Sequence, residues 1–489
     1  MRTLTLLSTL PLLGLVACVG SATIDLDTAE NSGDGGDGGD GGDGGDGGDG
    51  GDGGDGGDGG DGGSTELEIS DVGAELHDEV ESLVIVSWYQ QGTADVKVQY
   101  SFENDEWMES PERATQDGMH RQVLVGVPFE QEVTWKLVVN GEEVETGAIP
   151  TGDYPDDMPR PTVVVNETAD QLERGKYLLT SINEKACGWC GGDYWSMILD
   201  RQGRAVWARL TDDHHWTLYA TVAQSGDHLL IDDATYWSSW GEGEDGLIHR
   251  IYLDREIEAV ETPGLHHAFI QMPDDTLVWG SQAHGGQEAL VKKHPDDDDE
   301  TVLWTCQANW PNSGYCESNG LFYSEERDSF LYSFYTNDSI VEVDNATGES
   351  LWWAGDVRDG YEFSVVGSQY YWQHGVSYTE SGTLLVSTEA QAGWGDETTM
   401  LREYEVDHDN AQLHEVWNWD SGVYASTNGD AWRFENGNML HVVGSSGNLF
   451  ELTADGDTVW HLDFEDNHLL GRGEFIEDLY ALVAPDDGS

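Results

Sequence analysis

Ile340-Val341-Glu342-Val343-Asp344, followed after a short turn by Leu351-Trp352, is the stretch that decides the fold. Apolar and polar residues alternate over its first half, a turn follows, and an apolar residue with a tryptophan ends it. The same pattern returns at residues 197–207, 404–417 and 449–460. Alternation over a few residues between turn signals is typical of short strands. The pattern therefore predicts a repeated pair of antiparallel strands.

A second half-unit alternates with the first. It begins with a polar residue, continues into a strand and a Gly, Asp or Asn turn, and ends in an apolar strand. Its clearest copies begin at His267, His374 and Asp430. Together the two halves give a unit of roughly 40 to 60 residues with four short strands, which is the length and content of a propeller blade. We count about six such units between about residues 177 and 465.

A single blade cannot bury both faces of its sheet, whereas a closed ring of blades can. The sequence therefore predicts an all-β protein with a six-bladed β-propeller over residues 160–485. The tryptophans that end the units are expected to pack between blades as large apolar side chains. A terminal strand around residues 475–482 is expected to close the ring by pairing with the first blade.

Residues 66–155 precede the propeller and have a different character. They contain short runs rich in β-branched and aromatic residues, such as 83–88, 96–100 and 133–139, separated by Gly, Asn and Asp. This composition predicts a small β-sandwich domain. The segment offers no constellation of catalytic residues.

The first 17 residues predict a signal peptide, because one charge, Arg2, precedes an apolar run too short to span a bilayer. The run ends in Leu15-Val16-Ala17-Cys18, which resembles the lipobox of bacterial lipoproteins. The resemblance implies that Cys18 is lipidated and that the exported chain is anchored to a membrane through this lipid. Val19, in place of an Asp retention signal, favours the outer membrane, on either its periplasmic or its surface face. The alternative is an ordinary signal peptide with a chance cysteine.

Residues 18–65 form a low-complexity linker that repeats Asp-Gly-Gly ten times. Glycine buries no surface and the aspartates repel one another, which predicts a disordered tether with a reach on the order of 30 Å. Ordered calcium binding is the alternative. The whole chain carries a net charge of −74, which excludes nucleic acids and anionic membrane surfaces as partners held by general electrostatics.

Four cysteines remain after Cys18, an even number that agrees with export to an oxidising compartment. The simplest pairing gives two local disulfides, Cys187–Cys190 and Cys306–Cys316. The spacing of Cys187 and Cys190 also fits a redox motif or half of a zinc site, although no strand–helix–strand pattern and no second metal-ligand pair accompany it. We therefore predict no metal site.

Polar residues at equal register in different blades converge at one mouth of a propeller channel. His267 and His374 each lie ten residues before the first apolar residue of the next strand, Leu277 and Leu384, and Asp430 holds this register before Leu440. The shared register of the two histidines predicts a site in the channel. The alternative is that all three only start strands and bond to loops. Additional channel candidates are His215, Asp430, His441 and Arg402.

The propeller resembles the arylsulfate sulfotransferases. The resemblance rests on Gln373-His374, on residues 382–386, 401–407 and 416–417, and on Asn436-Gly437-Asn438-Met439-Leu440. Members of that family are exported six-bladed propellers with an N-terminal β-sandwich. The resemblance implies transfer of a sulfuryl group from a phenolic sulfate ester to a phenol through a histidine, without a nucleotide donor or other cofactor. It also implies a small aromatic ligand, phenolic or an aryl sulfate.

His267 and His374 match the two channel histidines of the family in register and spacing, and the resemblance implies that they are the catalytic residues. The family has an Arg shortly after the second of them, but residues 387–392 contain none, and Arg402 is the next cation. In the last blade only His441 is near the position of the family's nucleophile, with a shifted register. The alternative function is a propeller that binds a ligand or a partner without catalysis. Residues 343–352 also resemble a quinoprotein tryptophan motif, but the adjacent Cys-Cys pair of that class is absent.

Overall fold

The structure is a computed structural model that describes residues 67–103, 106–186, 192–211, 216–234, 246–284, 288–297, 299–391, 398–465 and 467–485. Cys18, the Asp-Gly-Gly repeat, Cys187, Cys190 and His215 lie outside the described residues, so the predictions made for them remain predictions. Among the described residues, no helix is long and apolar enough to cross a bilayer.

The N-terminal part folds as two antiparallel sheets, one of β1, β2 and β6 and the other of β4, β3, β7 and β8 with β5 on β3. Alternate residues of the central strands, such as Val84, Val86 and Trp88 in β2, point into the shared core. This is the predicted β-sandwich. Its strands are β1 (Glu68–Leu76), β2 (Val84–Gln91), β3 (Ala94–Ser101), β4 (Met108–Glu109), β5 (Arg113–Thr115), β6 (Gly118–Leu124), β7 (Glu132–Val139) and β8 (Glu142–Pro150).

The rest of the described chain forms six sheets of four or five strands. In chain order the strands are β9 (Thr162–Asn166), β10 (Tyr177–Asn183), β11 (Tyr194–Asp200), β12 (Ala205–Thr211), β13 (Ala220–Val222), β14 (Leu229–Asp233), β15 (Leu247–Tyr252), β16 (Arg255–Glu261), β17 (Leu265–Gln271), β18 (Leu277–Ser281), β19 (Ala289–Lys293), β20 (Thr301–Thr305), β21 (Ser318–Ser324), β22 (Ser329–Phe334), β23 (Ser339–Asp344), β24 (Ser350–Ala354), β25 (Glu362–Phe363), β26 (Val376–Tyr378), β27 (Leu384–Glu389), β28 (Thr399–Asp407), β29 (Gln412–Asp420), β30 (Asp430–Arg433), β31 (Met439–Val443), β32 (Asn448–Leu452), β33 (Thr458–Asp463) and β34 (Leu470–Ile476).

Each sheet is a blade, numbered here from 1 to 6. The innermost strands of the blades are β34, β13, β17, β21, β26 and β30 in that order. The next three strands of each blade run outwards in chain order, and β25 and β9 add a fifth, outermost strand to blades 5 and 6. Neighbouring inner strands touch, and the main-chain N–H of Gln224 donates to Oε1 of Gln271 at 2.8 Å between blades 2 and 3. The ring therefore closes around a central channel, and the chain contains a β-propeller. The described helices are α1 (Cys306–Asn309) and three short 3-10 turns at Tyr335–Asn337, Gly444–Ser446 and Tyr480–Leu482.

Both ends of the propeller segment take part in closing the ring. Strand β9 adds an outer strand to blade 6 by pairing with β33, and β34 supplies the inner strand of blade 1 by pairing with β10. The predicted pairing of a terminal strand with the first blade is confirmed, but the strand lies earlier than the expected residues 475–482, because β34 ends at Ile476 and a 3-10 turn follows. Gly471 and Gly473 interrupt the apolar alternation of β34, which hides the strand in the sequence.

Tryptophans lie between blades, as the sequence predicted. Trp207, Trp304 and Trp460 are each at most 2% exposed. The indole N–H of Trp207 donates to the carbonyl of Leu253 in the next blade at 2.9 Å, and that of Trp460 donates to the carbonyl of Arg201 at 3.1 Å. The indole body thus fills the gap between blades while its one donor is satisfied.

The disulfide Cys306–Cys316 is present, which confirms this half of the cysteine prediction. It closes a loop with a sequence separation of 10 between β20 and β21. Cross-linking a loop of this size stabilises a fold by about 2 to 3 kcal/mol, mainly by restricting the unfolded chain. We expect the double variant Cys306→Ser/Cys316→Ser to lose about this free energy of unfolding in urea titrations. An unchanged transition midpoint would contradict this expectation.

Candidate functional site

His267 and His374 lie at the same mouth of the channel, where the inner strands begin. His267 is near the start of β17, and His374 comes two residues before β26. Both imidazoles flank the ring of Tyr335, with centroid distances of 6.1 Å and 6.2 Å, and the His374 ring is stacked on it. The ten-residue register thus placed two imidazoles at one end of the channel. We call this end the histidine mouth.

The side chain of His374 is held in one tautomer. Its Nδ1 lies 2.9 Å from the carbonyl oxygen of Trp372, which can only accept, so Nδ1 carries the proton and donates. Burial lowers the pKa of His374 to about 4, so the ring is neutral at neutral pH. Nε2 then keeps its lone pair, and it has no hydrogen-bond partner among the residues that the structure describes. A neutral imidazole with an available Nε2 is a nucleophile or a general base.

His267 belongs to a buried chain of polar groups. Its Nδ1 is 2.8 Å from Nδ1 of His266, whose Nε2 donates to the carboxylate of Glu288 at 2.9 Å. Burial by itself would lower the pKa of His266, but the charge of Glu288 raises it above the ordinary value. Burial lowers the pKa of His267 well below its usual range, and the neighbouring imidazoles lower it further. Glu288 therefore favours the charged form of His266, whereas burial favours the neutral form of His267 beside it.

The backbone of the histidine mouth is strained. His267, Asp338, Trp372 and Asn428 have φ values of 59°, 42°, 47° and 57°, in the left-handed region that non-glycine residues avoid. Asp338 stabilises one of these conformations, because its carboxylate accepts a hydrogen bond from the main-chain N–H of Trp372 at 2.7 Å. Such conformations each cost roughly 1 to 3 kcal/mol and cluster at functional sites.

Glu317 joins the two adjacent histidines to form a set that could hold a metal ion. Potential ligand atoms of His266, His267 and Glu317 lie within 4.8 Å of one another, and all three residues are buried. Glu288 behind His266 is the kind of carboxylate that orients metal-bound histidines. The sequence prediction of no metal site did not take this set into account, because Glu317 follows a loop and shares no spacing with the histidines.

Asp430 lies in the channel but is committed to an ion pair. One of its oxygens accepts from Nε of Arg472 at 3.0 Å and from the indole N–H of Trp432 at 2.6 Å. Arg472 is a channel cation that sequence analysis missed, because it belongs to the hidden strand β34. The sequence feature that could have indicated Arg472 is its position between Gly471 and Gly473, as a charged residue in an apolar region.

His441 and Arg402 were candidates for the channel, and the structure places both elsewhere. His441 is on β31, the second strand of blade 6, where its Nε2 meets the hydroxyl of Ser387 of blade 5 at 3.0 Å. Arg402 is on β28, the third strand of blade 5, and pairs with Glu415. The side chain of Arg402 is buried. Only inner strands line a propeller channel, so neither residue does.

Buried His441 makes stability depend on pH. Burial lowers its pKa to about 3 from an ordinary value of 6.5, so below about pH 6.5 the unfolded chain binds a proton that the folded protein does not. This contribution to stability is therefore lost as the pH falls from about 6.5 towards 3. We expect the free energy of unfolding of the wild type to fall more steeply than that of His441→Gln, by up to about 1.4 kcal/mol per pH unit. Urea titrations between pH 7 and pH 4 measure both slopes, and parallel slopes would contradict the expectation.

No family model and no curated protein matches this sequence. A protein of unknown function from Bacteroides caccae is similar in structure, with 12% identity, coverage of 62% of this chain and 99% of that chain, and a TM-score of 0.42. The β-propeller domain of Cps50 (Swd1) from Myceliophteria thermophila has 14% identity, 63% and 86% coverage and a TM-score of 0.37. TolB from Acinetobacter baumannii has 10% identity, 72% and 80% coverage and a TM-score of 0.38. At these identities the similarity concerns the fold alone.

Proposed function

We propose that this protein transfers a sulfuryl group from a phenolic sulfate ester to a phenolic acceptor at the histidine mouth, without a nucleotide donor. The observation that carries the proposal is the state of His374: neutral, fixed by the Trp372 carbonyl, and with the Nε2 lone pair available. The sequence resemblance to the arylsulfate sulfotransferases supports the same chemistry. His267 beside it is the proposed acid–base group.

In the first half-reaction, Nε2 of His374 attacks the sulfur atom of the donor. An N–S bond forms while the S–O bond to the aryl group breaks, and the phenolate leaves with that electron pair. His267 donates its Nε2 proton to the phenolate, and His266, whose pKa is raised, replaces this proton at Nδ1 of His267. In the second half-reaction, the acceptor phenol attacks sulfur, and the electron pair of the N–S bond returns to Nε2 of His374. The acceptor proton goes to Nε2 of His267, and the proton on Nδ1 of His267 returns to His266.

The second candidate is a propeller that binds a ligand without catalysis. It is favoured by Asp430, which stands at the register of the two histidines but is engaged by Arg472. An ion pair in this position leaves the cation less able to neutralise sulfate oxygens at the histidine mouth.

One assay separates the two candidates. The full-length protein is mixed with 4-nitrophenyl sulfate, with and without phenol, and the release of coloured 4-nitrophenolate is followed together with phenyl sulfate formation. The transferase proposal expects release that depends on the acceptor. His414→Ala is the matched control, because His414 lies on the outer strand β29 far from the inner strands. Absence of transfer from any aryl sulfate would favour the binding propeller.

We also propose that lipid on Cys18 holds the exported protein at the outer membrane, with the Asp-Gly-Gly tether as a spacer. The lipobox-like sequence and the flexible repeat support this. Cys18→Ala should then move the protein from the membrane fraction to the soluble fraction of cells. If the variant stays with membranes after a salt wash, the lipid is not the anchor.

A further inference from the structure

A second cavity lies beyond Asp430, towards the ends of the inner strands, and no histidine is among the described residues that border it. Here a cavity of about 420 Å³ is bordered by the later residues of several inner strands, among them Gln271, Phe322, Trp432, Arg472 and Glu474. A volume of this size accommodates a small organic molecule. We call it the aromatic cavity.

Arg472 is the cation of this cavity and is only partly satisfied by the protein. Its side chain is buried, with 7% of the residue exposed. Its Nε donates to Asp430, and its guanidinium carbon lies 4.2 Å from the ring centroid of Trp432 and 5.1 Å from that of Tyr219. Neither Nη group donates a hydrogen bond to any residue in the described ranges. A guanidinium has five donors in a planar fork, so the outer edge still lacks acceptors.

Aromatic side chains form part of the walls of the aromatic cavity. Phe322 and Trp432 meet with ring centroids 6.1 Å apart, and Phe434 and Phe475 meet at 5.6 Å. Flat aromatic walls beside a planar cation favour a planar ligand over a tetrahedral one.

The other polar groups limit the charge of the ligand. Glu474 already accepts hydrogen bonds from the hydroxyl of Thr221 at 2.6 Å and from the main-chain N–H of Val222 at 2.9 Å. Burial raises the pKa of Glu474, which makes its negative charge less favourable than that of an exposed glutamate. With Asp430 on the other side of Arg472, the site favours a ligand with a single negative charge over a doubly charged one.

We propose that the aromatic cavity binds a small aromatic carboxylate, with both carboxylate oxygens on the Nη groups of Arg472 and the ring against Trp432 and Phe322. The bidentate geometry is the strongest that a guanidinium makes with a planar anion. This site does not depend on the proposed sulfuryl transfer, because the two histidines take no part in it.

The test measures benzoate and benzamide binding to the full-length protein by calorimetry. Benzoate should bind at least tenfold more tightly than benzamide, because the amide has the same ring but no charge and only one acceptor oxygen. Arg472→Met should lower benzoate affinity at least tenfold, while Arg358→Gln, which removes an exposed cation that does not border this cavity, should leave it unchanged.

Loss of Arg472 leaves Asp430 buried without its ion pair, so Arg472→Met could unfold the protein. Arg472→Lys avoids this, because it keeps a positive charge beside Asp430 but removes the planar fork. It should keep the melting temperature within a few degrees and still weaken benzoate binding about tenfold. Equal affinity for benzoate and benzamide, unchanged benzoate affinity in Arg472→Lys, or no saturable binding at millimolar benzoate would each overturn the proposal.

Discussion

A variant that ends at Phe464 is expected not to fold cooperatively. It lacks β34, which forms the inner strand of blade 1, and it also lacks the segment that follows. Five apolar side chains with at most 5% exposure are lost with it: Leu469, Leu470, Ile476, Leu479 and Leu482. Full burial of such side chains contributes roughly 1.5 to 3 kcal/mol each. Their sum approaches the roughly 5 to 15 kcal/mol by which a whole domain is stable.

The same truncation also damages the ring at other points. Strand β10 keeps its pairing with β11 but loses β34, so the main-chain groups on its inner edge face the channel without hydrogen bonds. Asp430 loses Arg472 and becomes a buried, unpaired carboxylate, which is strongly destabilising. Urea or thermal unfolding followed by circular dichroism should show no cooperative transition. A variant that ends at Pro485 is the matched control and should unfold as the wild type does.

A truncated protein that keeps the wild-type melting temperature would contradict the account of ring closure. Blade 1 would then be stable with three strands, and β34 would have to be an addition to a ring that is already closed.

His374→Ala is expected to lower sulfuryl transfer by at least roughly 10²-fold, because it removes the proposed nucleophile. Circular dichroism should be unchanged, since His374 precedes β26 and no sheet pairing depends on it. Added imidazole should restore part of the turnover by occupying the space of the missing ring. A purely structural role of His374 would not produce such rescue. His267→Ala should also slow the reaction, but added imidazole should not rescue this variant, because its nucleophile His374 is still present.

The pH profile tests the state of His374. Its pKa of about 4 means that Nε2 is protonated only in acid, and protonation removes the attacking lone pair. Transfer should therefore stay constant from pH 7 to about pH 5 and fall below that. A fall in transfer centred near pH 6.5 would indicate that the nucleophile is an exposed histidine and not the buried His374. Full activity of His374→Ala would show that the reaction takes place at another site.

The sequence repeat predicted much of the fold, because the strands of each blade carry a recognisable alternation of apolar and polar residues. Alternation marked strands such as β23, and tryptophans such as Trp207 and Trp460 marked the contacts between blades. The position of the closing strand β34 was not predicted, because Gly471 and Gly473 stand where the apolar residues of a strand would be expected. No local pattern contains the information that residues 470–476 pair with residues 177–183, since this pairing depends on closure of the whole ring.

The candidate site was predictable only where register determines position. Equal spacing before the next strand brought His267 and His374 to one mouth, and the same spacing brought Asp430 into the channel. Glu288 lies outside that register, just before β19, so the spacing of the polar residues did not predict its position in the site. His441 and Arg402 were misplaced for a related reason: nearness in sequence to a channel residue does not put a residue on an inner strand.

The most direct test of the proposed chemistry is to look for the covalent intermediate. The full-length protein is incubated with 4-nitrophenyl sulfate without an acceptor, quenched in alkali and digested, and its peptides are analysed by mass spectrometry. The account predicts a sulfuryl group on the imidazole of His374, lost when phenol is added before the quench and absent in His374→Ala. Turnover without any label on His374, or a label on another residue, would contradict it.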